Sequence, residues 1–189
     1  MFLRENEIGG KVARHLEPGW SLLDVGSGTG LISRYLRDAA GVEPTLTDLV
    51  FYDRTGLPRV EMTSPTEIPV PDGSFDAVML LFVFHHMDRW EDQERLLDEV
   101  VRVARHRLII IEDTPQSRVD RVMNTAWDWV LNLRHGVPTP FTFRSPEAWE
   151  EQFRARGLRV IARDTYRAKW PTLMTYRHTF FALEPPPRG

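Results

Sequence analysis

Leu22-Leu23-Asp24-Val25-Gly26-Ser27-Gly28-Thr29-Gly30 combines a short apolar run with three alternating glycines. Leu22, Leu23 and Val25 read as a strand, and the glycines as a sharp turn from that strand into a helix. Glycine is required where the backbone takes positive φ or comes close to a ligand. The helix beyond such a loop offers amide N–H groups to polar or anionic atoms. In an open parallel sheet, ligands bind outside the carboxyl ends of the strands, where this loop falls. Asp48 ends the next expected strand, 18 residues after Gly30, and a carboxylate there can accept hydrogen bonds from two ribose hydroxyls. The third glycine comes one residue earlier than in a dinucleotide fingerprint, with Leu31 in its place. No Gly-Lys-Ser/Thr follows either. Both features point away from NAD and ATP. Asp24 places a carboxylate beside the loop, which suits an amino group better than a pyrophosphate.

Outward from the loop, strands and helices alternate. Strands are expected over residues 20–25, 44–48, 59–62, 75–82, 107–111, 158–165 and 177–183. Helices are expected over 4–16, 31–39, 90–105 and 116–133, and another from Ser145, with Pro146 at its first position and Glu147 in its first turn. Residues 75–82 are nearly all apolar, as in a parallel strand covered on both faces. The helix over 116–133 has a stripe of Val119, Val122, Met123, Ala126, Val130 and Leu133 expected to pack on the sheet. The pattern predicts an α/β, doubly wound, Rossmann-like, mostly parallel seven-stranded sheet. The last two strands form an antiparallel C-terminal edge hairpin. The connection after Asp48 is about ten residues long, so the third strand and its preceding helix are reduced.

The chain has 189 residues, enough for one domain, and no cysteine. Disulfides, thiolate metal sites and cysteine nucleophiles are thereby excluded. The longest apolar run, residues 77–84, is too short to span a bilayer, and the N-terminal residues carry no apolar signal region. A cytoplasmic location is the expectation. Residues 1–100 carry 9 basic and 18 acidic side chains, and residues 101–189 carry 15 and 9. The basic run from Arg154 to Lys169 reads first as a solvated face, and second as a surface for an anionic partner.

Three segments in order resemble the class I S-adenosylmethionine-dependent methyltransferases, specifically the small type 11 (ubiquinone/menaquinone-biosynthesis-like) group. These are Leu23-Asp24-Val25-Gly26-Ser27-Gly28-Thr29-Gly30; Ile68-Pro69-Val70-Pro71-Asp72-Gly73-Ser74-Phe75-Asp76-Ala77-Val78; and Phe82-Val83-Phe84-His85-His86-Met87 with the helix ending Glu99-Val100-Val101-Arg102. The resemblance implies a single methyltransferase domain over residues 1–184, with 185–189 a flexible tail. S-adenosylmethionine is the implied cofactor, S-adenosylhomocysteine its product, and no metal is expected. Gly26, Ser27, Gly28 and Gly30 would form the cofactor loop, with Asp24 near the methionine amino group. Asp48 would hold the ribose, Leu49 would border the adenine, and Leu81 and Phe82 would meet the methionine moiety. The family commonly has Gly-Asp-Ala after the third strand. Here Thr63, Ser64 and Pro65 stand there, and Ser64 brings a hydroxyl where the family has a carboxylate.

Methyl transfer from a sulfonium needs a positioned acceptor, exclusion of water and, for some acceptors, a base. The candidate bases are His85 and His86, past the fourth strand, and Glu112 or Asp113, past the fifth. Adjacent histidines in an extended segment would point in opposite directions, which argues against a shared metal. His86, Trp129 and Phe141 are the candidate acceptor contacts. The expected reaction is methyl transfer to O, N or C of a small molecule. The rivals are a non-catalytic methyltransferase-fold binding protein acting through a partner, and an RNA or protein methyltransferase. The sequence leaves the oligomeric state open and does not favour nucleic acid as a partner.

Overall fold

The computed structural model describes residues 2–50, 52–53, 55–117, 120, 122, 125, 142–167 and 177–187. In chain order the elements are α1 (Phe2–Ala13), β1 (Ser21–Val25), α2 (Leu31–Ala40), β2 (Glu43–Asp48), β3 (Arg59–Glu61), β4 (Phe75–Leu81), a 3₁₀ turn (Phe84–His86), α3 (Trp90–Val103), β5 (Ala104–Asp113), α4 (Pro146–Ala155), β6 (Arg159–Arg167) and β7 (Arg177–Glu184). The seven strands form one sheet in the order β3-β2-β1-β4-β5-β7-β6. β1 to β5 are parallel, and β7 runs antiparallel to both β5 and β6. The strand order reverses between β1 and β4. That switch point opens a crevice at the carboxyl ends of the parallel strands.

Alternation along the strands divides the core into two layers. Leu23, Val25, Val78, Leu80, Leu108 and Ile110 pack with Leu96, Val100, Trp149 and Phe153 of α3 and α4. Leu22, Ala77, Met79, Ile109, Ile111 and Phe180 pack with Ile8, Val12 and Leu36 of α1 and α2. α1 approaches α2 closely at Gly9, where a Cβ would lie 2.3 Å from Cδ1 of Tyr35. α4 starts as its sequence requires: the Ser145 hydroxyl accepts from the Ala148 N–H, and Pro146 follows.

Several expected boundaries move. α1 stops at Ala13 rather than residue 16, because the amides of His15 and Leu16 bond back three residues to Val12 and Ala13. Leu16 stays buried in that tightened turn. α3 ends at Val103, and Ala104 and Arg105 belong to β5, where Ala104 pairs with Phe75. Sheet pairing across β4 overrides the helical periodicity of those two residues. Val122 is 66% exposed rather than part of an apolar stripe. Asp120, two residues and about 200° of helical turn away, faces inward to Arg177 at 3.4 Å. Most of the helix expected over 116–133, with Trp129 and Phe141, lies outside the described residues. The reduced connection is present as expected: β3 has three residues, and the described residues between β2 and β3 contain no helix.

The motif from Ile68 to Phe75 is tied down by α3. Arg102 donates to the carbonyls of Val70 and Ile68 and to the carboxylates of Asp72 and Glu99, while Glu99 also accepts from the Ile68 N–H. Among the described residues no helix is long and apolar enough to cross a membrane.

Candidate active site

The glycine loop leaves β1 by alternation: Gly26, Gly28 and Gly30 have φ of 70°, 52° and 70°. At Gly26 a Cβ would lie 2.6 Å from Val83, so this loop and the one after β4 close on each other. The loop amides point inward. Those of Gly26 and Ser27 donate to Thr47, that of Gly28 to Asp48 Oδ2 at 2.9 Å, and that of Gly30 to Ser27. Asp48 Oδ1 also accepts from the Leu49 and Val50 amides at 2.8 and 3.4 Å. Asp48 is therefore the brace that joins the first two strand ends.

A cavity of about 220 Å³ lies between this loop, the start of α2 and the end of β4. Asp24, Gly26, Ser27, Gly28, Thr29, Leu31, Ile32, Leu81 and Phe82 line it. Six of the residues expected at a cofactor site meet here: Asp24, Gly26, Ser27, Gly28, Leu81 and Phe82. Gly30 does not line it, and its missing side chain instead makes room for Leu46 and Asp53. Leu49 is exposed at the end of β2. Ser64 faces its own turn, with its hydroxyl 3.2 Å from that of Thr66, and Pro65 is exposed.

Two polar groups in the cavity are notable. Ser27 Oγ is buried with no hydrogen-bond partner, which is costly unless a ligand supplies one. Asp24 is 3% exposed. Burial pushes its carboxyl up to about 7, a hydrogen bond from Ser33 opposes that shift, and the charge of Asp48 adds to it. Phe82 has φ of 63°, a left-handed conformation rare for a side chain of its size and costing on the order of 1–3 kcal/mol. Its N–H donates to the Ile111 carbonyl at 2.8 Å. Beyond it, Glu112 Oε1 accepts from the Val83 and Phe84 amides at 2.7 Å each, and Oε2 lies 2.8 Å from His85 Nδ1.

These contacts define the surroundings of the candidate bases. Glu112, at 1% exposure, is an acceptor for three groups and shapes the loop after β4. His85 is buried, stacked 5.7 Å from Phe143, and is not among the residues that line the cavity. The two histidines occupy a 3₁₀ turn, not an extended segment, so their rings approach to 4.1 Å instead of diverging. His86 is half-buried in that turn. Asp113 is buried and lies 2.5 Å from Nδ1 of His178, a residue that sequence reasoning missed. The pair is 65 residues apart in the chain, and no local pattern announces it.

The basic run is not a bare cationic surface. Arg156 pairs with Asp98 and Arg159 with Glu184, while Arg163 pairs with Glu147 and Glu150. Among the described residues no cluster of three histidine or acidic side chains forms a candidate metal centre.

A sheet of this order, with a glycine loop after β1 at the switch point and an antiparallel β7, is the fold of the class I S-adenosylmethionine-dependent methyltransferases. A family model described as a methyltransferase domain matches residues 4–163, and the chain belongs to that family. Among solved structures, a chain from the complex of the Haloferax volcanii Trm112 methyltransferase activator with a methyltransferase has a TM-score of 0.72 at 17% identity, over 97% of this chain and 91% of that one. A Methanosarcina mazei protein described as a SAM-dependent methyltransferase gives 0.72 at 14% identity, over 94% and 98%. The [4+2]-cyclase SpnF gives 0.70 at 14%, over 97% and 81%. At these identities the likeness is one of fold. Comparison with curated protein sequences gives no significant match.

Proposed function

We propose that the chain binds S-adenosylmethionine in the cavity between the glycine loop and β4 and transfers its methyl group to a small-molecule acceptor. The observation that carries this reading is the buried Ser27 hydroxyl without a partner, in a cavity that also holds the Asp24 carboxyl. An amino-acid moiety fits such a pair: Asp24 takes its ammonium, and Ser27 donates to its carboxylate. Gly28, where a Cβ would meet nothing within 4 Å, lets the ligand approach the main chain. Leu81 and Phe82 cover its apolar part. Asp48 keeps acceptor capacity for a ribose, since a carboxylate has about four lone-pair sites. Leu49 would border the adenine, and Ser64 and Pro65 lie on the same side.

The cofactor supplies an activated methyl group with its own leaving group. The protein's part is to hold the acceptor in line, exclude water and accept a proton where the acceptor carries one. A small acceptor is favoured over RNA because three arginines of the basic run are closed on acidic partners.

A second reading is a methyltransferase fold that works with a partner protein. The exposed run of Leu49, Val50 and Tyr52 beside the ribose side favours it, and the Haloferax neighbour was solved with an activator. Calorimetric titration with S-adenosylmethionine and S-adenosylhomocysteine, repeated on Asp24→Ala and Asp48→Ala, separates the two. Micromolar binding that weakens at least tenfold in each variant supports the first reading. No binding by the wild type at millimolar ligand sinks it.

A further inference from the structure

Two carboxylates adjoin at the carboxyl end of β5, and strand alternation sends them to opposite faces of the sheet. Glu112 follows Leu108 and Ile110 onto the α3/α4 face and holds His85. Asp113 follows Ile109 and Ile111 onto the α1/α2 face and meets His178, its register partner on β7, at 2.5 Å. The cavity lies on that second face: Asp24 lies two residues beyond Leu22 there, and Leu81 and Phe82 pack against the same layer. Phe82 links the two places. Phe82 is among the residues lining the cavity, and its ring meets the His178 ring edge-on at 4.9 Å.

The geometry points to His178, oriented by Asp113, as the general base of the reaction. The acceptor is then a molecule whose attacking oxygen or nitrogen carries a proton, bound on the α1/α2 face beyond Phe82. This inference rests on the methyltransferase reading above. A carboxylate at Nδ1 fixes both the ring plane and the tautomer, with the proton on Nδ1 and Nε2 as the basic atom. The buried aromatic surroundings exclude water: Phe82 on one side and, from β6, Tyr166 at 5.6 Å.

Among the described residues, charged groups from three strands and α1 lie near the ring. Asp113 faces the ring from β5. Lys11 of α1 sits over the Tyr166 ring and is paired with Asp164 of β6. Arg177, adjacent on β7, is paired with Asp120. His85 has a carboxylate as well, but it lies on the opposite face, and Glu112 is shared with two amides.

In the step itself, the acceptor's proton passes to Nε2 as its lone pair forms the bond to the methyl carbon. The carbon–sulfur bond breaks with its electron pair remaining on sulfur. The positive charge leaves the sulfonium and appears on the imidazolium, which Asp113 stabilises until the product leaves and the proton passes to solvent. An acceptor with no proton on its attacking atom would gain nothing from this group.

The test uses the full chain labelled with ¹⁵N. Histidine side-chain spectra are recorded with and without S-adenosylhomocysteine and assigned with His178→Gln, and Asp113→Asn is recorded in parallel. The expected result is an Nδ1–H tautomer at His178 that loses its fixed form in Asp113→Asn. Saturating S-adenosylhomocysteine should shift the His178 ring signals and leave those of His85 in place. His178→Gln should bind S-adenosylhomocysteine within about twofold of wild type. Across a panel of phenols and N-heterocycles it should lose on the order of 10²–10⁴-fold in transfer, together with the pH dependence of the wild-type rate. Bound S-adenosylhomocysteine with unmoved His178 signals, or undiminished transfer by His178→Gln, overturns the role of the pair while leaving the cofactor reading intact. Failure of the wild type to bind S-adenosylhomocysteine overturns the cofactor reading and, with it, the inference.

Discussion

Ser33 Oγ lies 2.6 Å from Asp24 Oδ2, and both residues are buried where α2 packs over the end of β1. A single hydroxyl does not replace the water that a carboxylate loses on burial, so the carboxyl is pushed up to about 7. Between pH 4 and 7 the folded chain then holds a proton that the unfolded chain has released. Stability from this group therefore falls as pH rises through that window and is flat above it. Urea unfolding of the ligand-free protein should show a loss on the order of 2–4 kcal/mol between pH 4.5 and 8. Asp24→Asn should remove most of it. An equal slope in the variant would place the effect elsewhere.

The same carboxyl links ligand affinity to pH. An ammonium beside Asp24 needs the ionised form, so binding must expel the proton below pH 7. The Kd for S-adenosylhomocysteine should tighten about tenfold per pH unit from pH 5 to 7 and then level off. Proton release should be visible as a dependence of the calorimetric heat on the buffer.

Glu112 closes the chain after β4 by accepting from two amides and a histidine. Glu112→Ala leaves all three without that acceptor, two of them buried, and should cost about 3–5 kcal/mol. Glu112→Gln retains one oxygen and should cost less, about 1–3 kcal/mol. Thermal melts of both variants measure the difference, and equal losses would contradict the hydrogen-bond account.

Arg144, 9% exposed, donates to Gln93 and Glu94 and lies between the rings of Trp90 and Trp149. Gln93 in turn donates to Phe84 and Thr142, and Thr142 donates to Met87. Arg144→Ala should therefore lose about 2–4 kcal/mol by chemical unfolding, and Arg144→Lys should recover little because lysine lacks the planar fork.

Neighbouring glycines in α1 should respond with opposite signs. A Cβ at Gly9 meets the Tyr35 ring at 2.3 Å, whereas at Gly10 the nearest atom is 4.0 Å away. Gly9→Ala should destabilise by about 1–3 kcal/mol, and Gly10→Ala should stabilise by up to about 1 kcal/mol. Tyr35→Leu should relieve the first effect, which a double-mutant cycle by thermal melting would register.

The expectation of an α/β sheet rested on local signals that the structure retains. The apolar run at Phe75–Leu81 became a strand covered on both faces, and Pro146 with Ser145 started α4. The glycine loop and the cavity residues Asp24, Ser27 and Phe82 were legible because they lie within, or one turn beyond, a strand whose period is plain. Boundaries were less legible where two periods compete. Ala104 and Arg105 continue the helical pattern of α3, yet pairing with β4 made them strand.

By itself, the sequence determined the order of strands and helices, the position of the sharp turn after β1, and the absence of thiol chemistry. Only the tertiary structure decided which acidic and basic groups face one another. Asp48 became a brace for Gly28, Glu112 took His85 to one face, and Asp113 took His178 to the other. Backbone periodicity is a property of neighbours along the chain. The pairing of Asp113 with His178 depends on the antiparallel register of β5 and β7, which no short window of residues contains.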